Sequence, residues 1–197
     1  MYLNEAFKSF KVVTPASSNV IPLSTAKAHL RVTTSDEDTL ITSLILASTK
    51  MAENYTNSYF INTTVRMNFD TFPSSMLRLY GGEISSLTNI KYYDASNTLQ
   101  TLSASKYTVN LDAKPCVAYY GNLAEVPSVY DRTDAVQVNY VAGYGASADD
   151  VPTPIKQAIL MIIATLYEGR QDFITGTIVS EIPKTSEYLL EPYRIIY

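Results

Sequence analysis

The spacing of hydrophobic residues changes twice along the chain and divides it into three parts. Between Leu40 and Tyr55 they recur every three or four residues, the period of an amphipathic α-helix. From Tyr59 to Asp70 they alternate with polar residues, which is typical of a half-buried antiparallel strand. A helical pattern returns after Pro152. This order predicts an α+β fold.

The first part is predicted to hold a short helix over 24–31 and a helix of about five turns over 36–56. Ser35 and Asp38 resemble a capping box at the start of the longer helix. Residues 1–22 show little periodicity, and we expect them to form an extended arm.

The middle part contains several short strand-like segments separated by turn signals, which predict a small sheet sandwich or barrel. The segments after residue 70 are MLRLY, NIKYY, TLQTL, KYTVNL and AVQVNYV. Residues 112–134 show no clear pattern. No linker separates the strands from the helices, so we predict a helical bundle built from both chain ends (23–57 and 150–192) with an inserted antiparallel β domain (58–149).

The segment VPTPIKQAILMIIATLYEGRQ, residues 151–171, contains a nearly unbroken apolar row from Ala158 to Leu166. Spanning a bilayer takes roughly 20 apolar residues, and this row is shorter and lies between Lys156 and Glu168. The segment therefore predicts a buried helix rather than a membrane span.

This helix is expected to begin with Thr153 as its N-cap and Pro154 at its first helical position, and to end at Gly169 in a left-handed conformation. A helix that is apolar almost all round must be covered on several sides. One monomer offers few long elements for this, so we expect neighbouring copies to supply part of the cover. The residues expected to pack within the bundle or between subunits are Ile155, Ile159, Ile162, Ile163 and Leu166.

The charged residues disfavour tight nucleic-acid binding. The 15 basic and 19 acidic residues give a formal net charge of −4 and are scattered without runs, so they form no footprint for phosphates. The 16 tyrosines suit half-buried sheet faces and interfaces. The N-terminus lacks the pattern of a signal peptide, and a single cysteine favours folding in a reducing compartment.

No pattern of residues predicts catalysis. His29 is the only histidine, so a Ser-His-Asp or Cys-His arrangement would have to use it, and a structural role is expected instead. Cys116 is expected to be a small buried residue. Asp149 and Asp150 precede a helix start, where acids are favoured by the helix dipole, and the glycines of 143–145 suit a turn. We predict no catalytic residue, no metal site and no cofactor.

Several segments together resemble the head-to-tail connector (adaptor) proteins of tailed bacteriophages and gene transfer agents. In chain order they are IPLSTAKAHLRV, SDEDTLITSLILASTKMAENYTN, FINTTVRMNFDTFP, SLTNIKYYDASNTLQTLSASKYTVN, VQVNYVAGYGASADDVPTPIKQAILMIIATLYEGRQ and EYLLEPYR. They cover most of residues 20–194. Residues 1–19 and 112–134 show no clear match.

The resemblance implies a structural protein and not an enzyme. It would lie in the neck region of the virion, and in the host cytoplasm during assembly. It implies a ring of twelve copies beneath the portal protein, with a surface for the next neck or tail protein and a lumen through which DNA passes without specific binding. No membrane is involved. The alternative from another class is a carbohydrate or receptor-binding module of a phage tail structure, which the Tyr-rich β insertion would suit.

The resemblance also implies that the C-terminal tail, 193–197, binds the portal. The residues of this tail are Tyr193, Arg194, Ile195, Ile196 and Tyr197. Such an apolar end is unsuited to free solution, so it either extends into the portal or folds back on its own bundle. We expect extension, in which case deleting the tail would leave the melting temperature of the monomer nearly unchanged.

Overall fold

Along the chain, two α-helices precede the main run of strands and two follow it, and one further strand lies at the N-terminal side. The structure, a computed structural model, describes residues 7–73, 76–120, 126–169 and 184–196. The helices in these ranges are α1 (Leu23–Leu30), α2 (Asp38–Thr56), α3 (Thr153–Glu168) and α4 (Lys184–Leu190). Among them, none combines the length and the apolar character that crossing a bilayer requires.

The strands form two antiparallel sheets. In chain order they are β1 (Phe7–Thr14), β2 (Thr63–Phe69), β3 (Met76–Arg78), β4 (Ile84–Tyr93), β5 (Leu99–Thr101), β6 (Tyr107–Asn110), β7 (Val117–Tyr120) and β8 (Val136–Ala142). One sheet has the order β1-β2-β8-β4-β5 and the other β3-β7-β6. Along β2, buried and half-buried residues alternate as its sequence predicts.

The two sheets enclose one hydrophobic core, the β core. Val65 and Tyr140 enter it from the five-stranded sheet, and Leu77 and Ala118 enter it from the three-stranded sheet. The hydroxyl of Tyr140 donates a hydrogen bond of 2.6 Å to the carbonyl of Tyr80, which satisfies the buried phenol.

A second core, the helical core, joins α1 and α2 to α3 and α4. Ile41 and Ile45 of α2 meet Ile159 and Ile163 of α3, and Leu190 closes the core from α4. Helices and antiparallel sheets thus coexist in one chain, and the predicted α+β class is confirmed.

The N-terminal arm contains a strand that its sequence did not indicate. β1 pairs with β2 at the edge of the five-stranded sheet, with Val12 opposite Val65. Seven of its eight residues are exposed, which explains why no buried face marks it in the sequence.

The predicted capping box at Ser35 and Asp38 is wrong. Helix α2 has Glu37 as its N-cap, without a side-chain capping bond. The carboxylate of Asp38 instead accepts a hydrogen bond of 2.6 Å from the ammonium of Lys27 in α1. A contact between two helices has therefore replaced a local cap.

Both predicted ends of α3 are also wrong in detail. Pro152 is the N-cap, because its carbonyl accepts the first helical bonds from Ile155 and Lys156, and Thr153 lies inside the helix. Gly169 ends the helix at φ −91°, outside the left-handed region.

Candidate assembly surfaces

Four of the five packing residues predicted on α3 are buried by the chain itself. Ile155, Ile159, Ile162 and Ile163 are at most 1% exposed, and Leu166 is partly buried against the same helical core. These side chains pack between α3 and its neighbours α2 and α4. They stabilise the bundle in a single copy.

The opposite side of α3 is less well covered. Leu160, Met161 and Ala164 are only half-buried by the described residues, and Gln157 and Thr165 are exposed. Residues at this spacing share one face of a helix. An apolar stripe of Leu160, Met161 and Ala164 is therefore only partly covered, although Leu160 touches the helical core at its edge.

The C-terminal tail lies on the end of α2. The backbone N–H of Ile195 donates a hydrogen bond of 3.0 Å to the carbonyl of Thr56. The side-chain amide of Asn57 donates a hydrogen bond of 2.9 Å to the carbonyl of Ile195. Asn57 can reach the tail because it ends α2 in the left-handed conformation, φ 55°, where asparagine is tolerated.

A second set of contacts involves Tyr55 of α2. The hydroxyl of Tyr55 donates a hydrogen bond of 2.6 Å to the carboxylate of Glu191, which raises the pKa of Tyr55. The guanidinium of Arg194 lies 5.2 Å from the centroid of the Tyr55 ring. Residues 194–196 therefore adopt the folded-back alternative, with Ile196 81% exposed, while Tyr197 lies outside the described residues. The portal contact expected of the tail remains a prediction.

A groove of about 660 Å³ opens beside the tail. Phe7 and Phe10 of β1 line it, together with Tyr59, Glu53 and Ile196. The ring of Phe10 stacks on that of Tyr59 at a centroid distance of 6.4 Å. The groove thus adjoins the arm, the end of α2 and the tail, three parts that are far apart in sequence.

Glu53 is a half-buried acid that lines this groove. One oxygen accepts a 3.3 Å hydrogen bond from the N–H of Phe60, and the other lies 3.3 Å from the ammonium of Lys50. Burial raises the pKa of Glu53, and the nearby Lys50 opposes that shift in part. The carboxylate helps to fix the chain where it leaves α2 for β2.

The other reactive side chains considered in the sequence do not come together in one site. His29 is exposed on α1, and Cys116 is buried, which raises the pKa of its thiol to about 11. The carboxylate of Asp150 accepts bonds from the N–H and hydroxyl of Ser147, so it caps a local turn. Within the ranges that the structure describes, no three His, Cys, Asp or Glu residues are placed to hold a metal ion.

The glycines of 143–145 form a turn that ties the sheet to the start of β2. Gly143 has a φ of +138° and its N–H donates to the carbonyl of Glu83 over 2.8 Å. The carbonyl of Gly145 accepts a 2.8 Å bond from the N–H of Asn62. Close backbone contacts account for these glycines without a phosphate ligand.

Residues 20–108 match the family model described as Phage gp6-like head-tail connector protein. The fold is similar to that of a chain from the neck of an empty gene transfer agent (GTA) particle with C6 symmetry, with a TM-score of 0.79, 22% identity, and coverage of 96% of this chain and 97% of that chain. It is also similar to a chain from the virion of a native GTA particle, with a TM-score of 0.78, 21% identity and the same coverage. A chain from the neck of a native GTA particle with C12 symmetry gives a TM-score of 0.75 at 19% identity, again with the same coverage. No curated protein matches the chain.

At such low identities the structural likenesses establish the fold, and the family model adds the sequence pattern. Together they define a structural protein of the head-tail connector class and do not favour the carbohydrate-binding alternative. Residues 20–108 match the model of the Phage gp6-like head-tail connector family, so the resemblance drawn from the sequence is confirmed. This family is not known for enzymatic activity.

Proposed function

We propose that this head-tail connector forms a ring of twelve copies beneath a portal protein in the neck of a virion. Before assembly the protein is in the host cytoplasm. The observation that carries the proposal is the family match over residues 20–108, on a fold that covers 96% of the chain in a GTA neck structure. C6 and C12 symmetries, described for those necks, are both compatible with twelve copies. The role is structural, without catalysis.

In this proposal a helical bundle from both chain ends (23–57 and 150–192) carries the β insertion (58–149). Support comes from the helical core, to which helices before and after the strands contribute. The arm (1–22) adds its strand β1 to the sheet of the insertion, and 193–197 form the tail.

Neighbouring copies cover the apolar stripe of α3. Leu160, Met161 and Ala164 are half-buried in one copy, and a head-to-tail contact would remove them further from water. Such contacts between two different surfaces close into a ring when the rotation between copies allows it.

The tail residues, Tyr193 to Tyr197, bind the portal, and the opposite side of the ring offers a surface to the next neck or tail protein. Ile196 is 81% exposed, which leaves an apolar side chain ready for a partner. The few bonds that hold Ile195 on α2 would be exchanged for bonds to the portal.

DNA passes through the lumen without specific binding. The formal net charge of −4 supports this, because basic contacts to phosphates are what create affinity for DNA. We propose an acidic or neutral lumen, and a strongly basic bore in a reconstruction would contradict it.

Electron microscopy of the protein mixed with its cognate portal tests the proposal. We expect a ring of additional density on the tail-proximal side of the portal, with twelve subunits. A variant that lacks residues 194–197 should lose the ring, whereas the Tyr130→Ser variant, which changes an exposed residue of the β insertion, should retain it. If the wild-type protein forms no complex with the portal even at high concentrations of both proteins, the proposed function is refuted.

A further inference from the structure

The face of the five-stranded sheet that points away from the β core is here called the outer sheet face, and two neighbouring rows of residues across it are polar. Register places Lys11 opposite Arg66, Arg66 opposite Asn139, and Asn139 opposite Asn89. Residues directly opposite on neighbouring strands share a face. The adjacent row across the same strands consists of Ser9, Asn68, Gln137 and Lys91.

Hydrogen bonds hold these side chains in place along the sheet. The guanidinium Nε of Arg66 donates to the amide oxygen of Asn139 over 2.7 Å. The amide nitrogen of Asn139 in turn donates to the amide oxygen of Asn89 over 2.8 Å. Gln137 and Asn139 are only 6% and 7% exposed, so this polar surface is packed and ordered before any partner arrives.

The outer sheet face carries a positive charge on an acidic chain. Lys8 is paired with Asp70 at 2.7 Å, but Lys11, Arg66 and Lys91 form no ion pair with a residue that the structure describes. Removing these four basic residues and one acidic residue from the 15 and 19 of the whole chain leaves 11 and 18, a formal charge of −7. The acidic remainder of a second copy would therefore attract the face on which these cations lie.

The described helices do not cover the outer sheet face. Their principal contacts are with one another, and the helical core contains no residue of the outer sheet face. As far as the described helices are concerned, Lys11 at the edge of the face and the half-buried Arg66 and Lys91 can be reached by a separate molecule.

We infer that the outer sheet face is one side of the contact between successive copies, where Lys11, Arg66 and Lys91 meet carboxylates of the next copy. The inference rests on the proposed ring and names one of its surfaces. A symmetrical contact of the face with itself would place cations against cations, which is unfavourable. The face therefore needs a different surface on its partner, and such a heterologous contact is the kind that builds rings.

Charge favours a second copy over DNA as the occupant. The affinity of a protein for a DNA duplex comes largely from Lys and Arg contacts to phosphates, and about 6 to 10 such contacts make binding strongly dependent on salt. The outer sheet face offers three unpaired cations, and the chain as a whole would repel the duplex. Carboxylates of another copy meet no such opposition.

Two charge-reversed proteins test the inference. One carries Lys11→Glu and Lys91→Glu on the outer sheet face, and its control carries Arg78→Glu and Lys106→Glu on the side of the three-stranded sheet; each changes the formal net charge from −4 to −8. Circular dichroism establishes that both fold. We expect the control to form rings on the portal like the wild type, and the outer-face variant to lose at least tenfold in ring occupancy, counted by electron microscopy. Equal occupancy of the two variants, or an equal loss in both, would overturn the inference.

Cross-linking identifies the partner. A carbodiimide joins amines to carboxylates without a spacer, and a mixture of ¹⁴N- and ¹⁵N-labelled protein distinguishes links between copies. We expect Lys11 or Lys91 linked to Asp or Glu of another copy, both on the portal and in the free protein at high concentration. No such link, or links from these lysines to another protein alone, would overturn the inference, as would duplex DNA binding that the outer-face variant loses. If the wild type forms no ring, the proposed function fails. The links in the concentrated free protein still show whether the outer sheet face contacts another copy.

Discussion

The side-chain amide of Asn57 donates a hydrogen bond to the backbone carbonyl of Ile195, 2.9 Å away and 138 residues later in the chain. The bond joins the end of α2 to the C-terminal tail, and the N–H of Ile195 returns a second bond to the carbonyl of Thr56. The tail therefore contributes to the stability of the monomer as well as to its proposed partner contact.

Deleting residues 194–197 should lower the free energy of unfolding by about 1 to 3 kcal/mol, because two hydrogen bonds are lost at about 0.5 to 1.5 kcal/mol each. Urea denaturation followed by circular dichroism measures this change. The Ile196→Ser variant is the control and should differ little from the wild type, since Ile196 is 81% exposed. An unchanged urea midpoint in the deletion variant would contradict the folded-back tail and support the extended arrangement expected from sequence.

Replacing Ile159 by alanine should destabilise the isolated monomer by about 2 to 5 kcal/mol, because the side chain is fully buried in the helical core. The same change at Leu160, which is half-buried on the stripe, should cost the monomer clearly less. Thermal unfolding at low protein concentration compares the two. If Leu160→Ala lowers the melting temperature more than Ile159→Ala, the side of α3 that carries Ile159 is not the one that the monomer buries.

The Gly143→Ala variant should be strongly destabilised. A Cβ atom there would lie 2.6 Å from the backbone nitrogen of Asn62, at a φ of +138° that side chains rarely adopt. Backbone strain and overpacking each cost about 1 to 3 kcal/mol, so a loss of about 2 to 6 kcal/mol is expected. Gly169→Ala, at φ −91°, serves as the matched control with little expected effect on the denaturation midpoint. Equal midpoints for the two variants would contradict the turn geometry.

The Glu53→Gln variant should be more stable than the wild type at pH 7. Burial raises the folded-state pKa of Glu53, so its contribution to stability is fully present below the unfolded-state pKa of about 4.3 and is lost as pH rises through the folded-state pKa. Glutamine retains an acceptor for the N–H of Phe60 and carries no charge. The difference between the two proteins should shrink towards pH 4.

Urea denaturation at pH 4 and pH 7 measures both values. The exposed Glu168→Gln variant controls for the loss of one negative charge. If Glu53→Gln is less stable than the wild type at pH 7, the ion pair with Lys50 outweighs the cost of burying the carboxylate.

How much of the fold was predictable varies with the local pattern. The alternation from Thr63 to Phe69 and the helical period of 38–56 were sufficient, since each long element presents one buried face. β1 gave no such signal because it is exposed on both faces, and β7 lies within 112–134, where the sequence shows no clear pattern. The helix ends were wrong where a distant partner decided them, as Lys27 did for Asp38.

The assembly surfaces were partly predictable. The isoleucines of α3 were recognised from the apolar pattern of this segment, but which of them the chain itself covers depends on α2 and α4. The cations Lys11, Arg66 and Lys91 are 55 and 25 residues apart in sequence and form no run there. Strand pairing alone gathers them on one face.

The sequence by itself determined the α+β class, the order of its main elements and the family resemblance, because periodicity and local turn residues act over short stretches of chain. Only the tertiary structure decided where the tail lies, which side of α3 is enclosed, and that scattered charges share one sheet face. Those outcomes depend on contacts between residues distant in the chain, such as Asn57 with Ile195 and Arg66 with Asn139, and no local pattern encodes such distances.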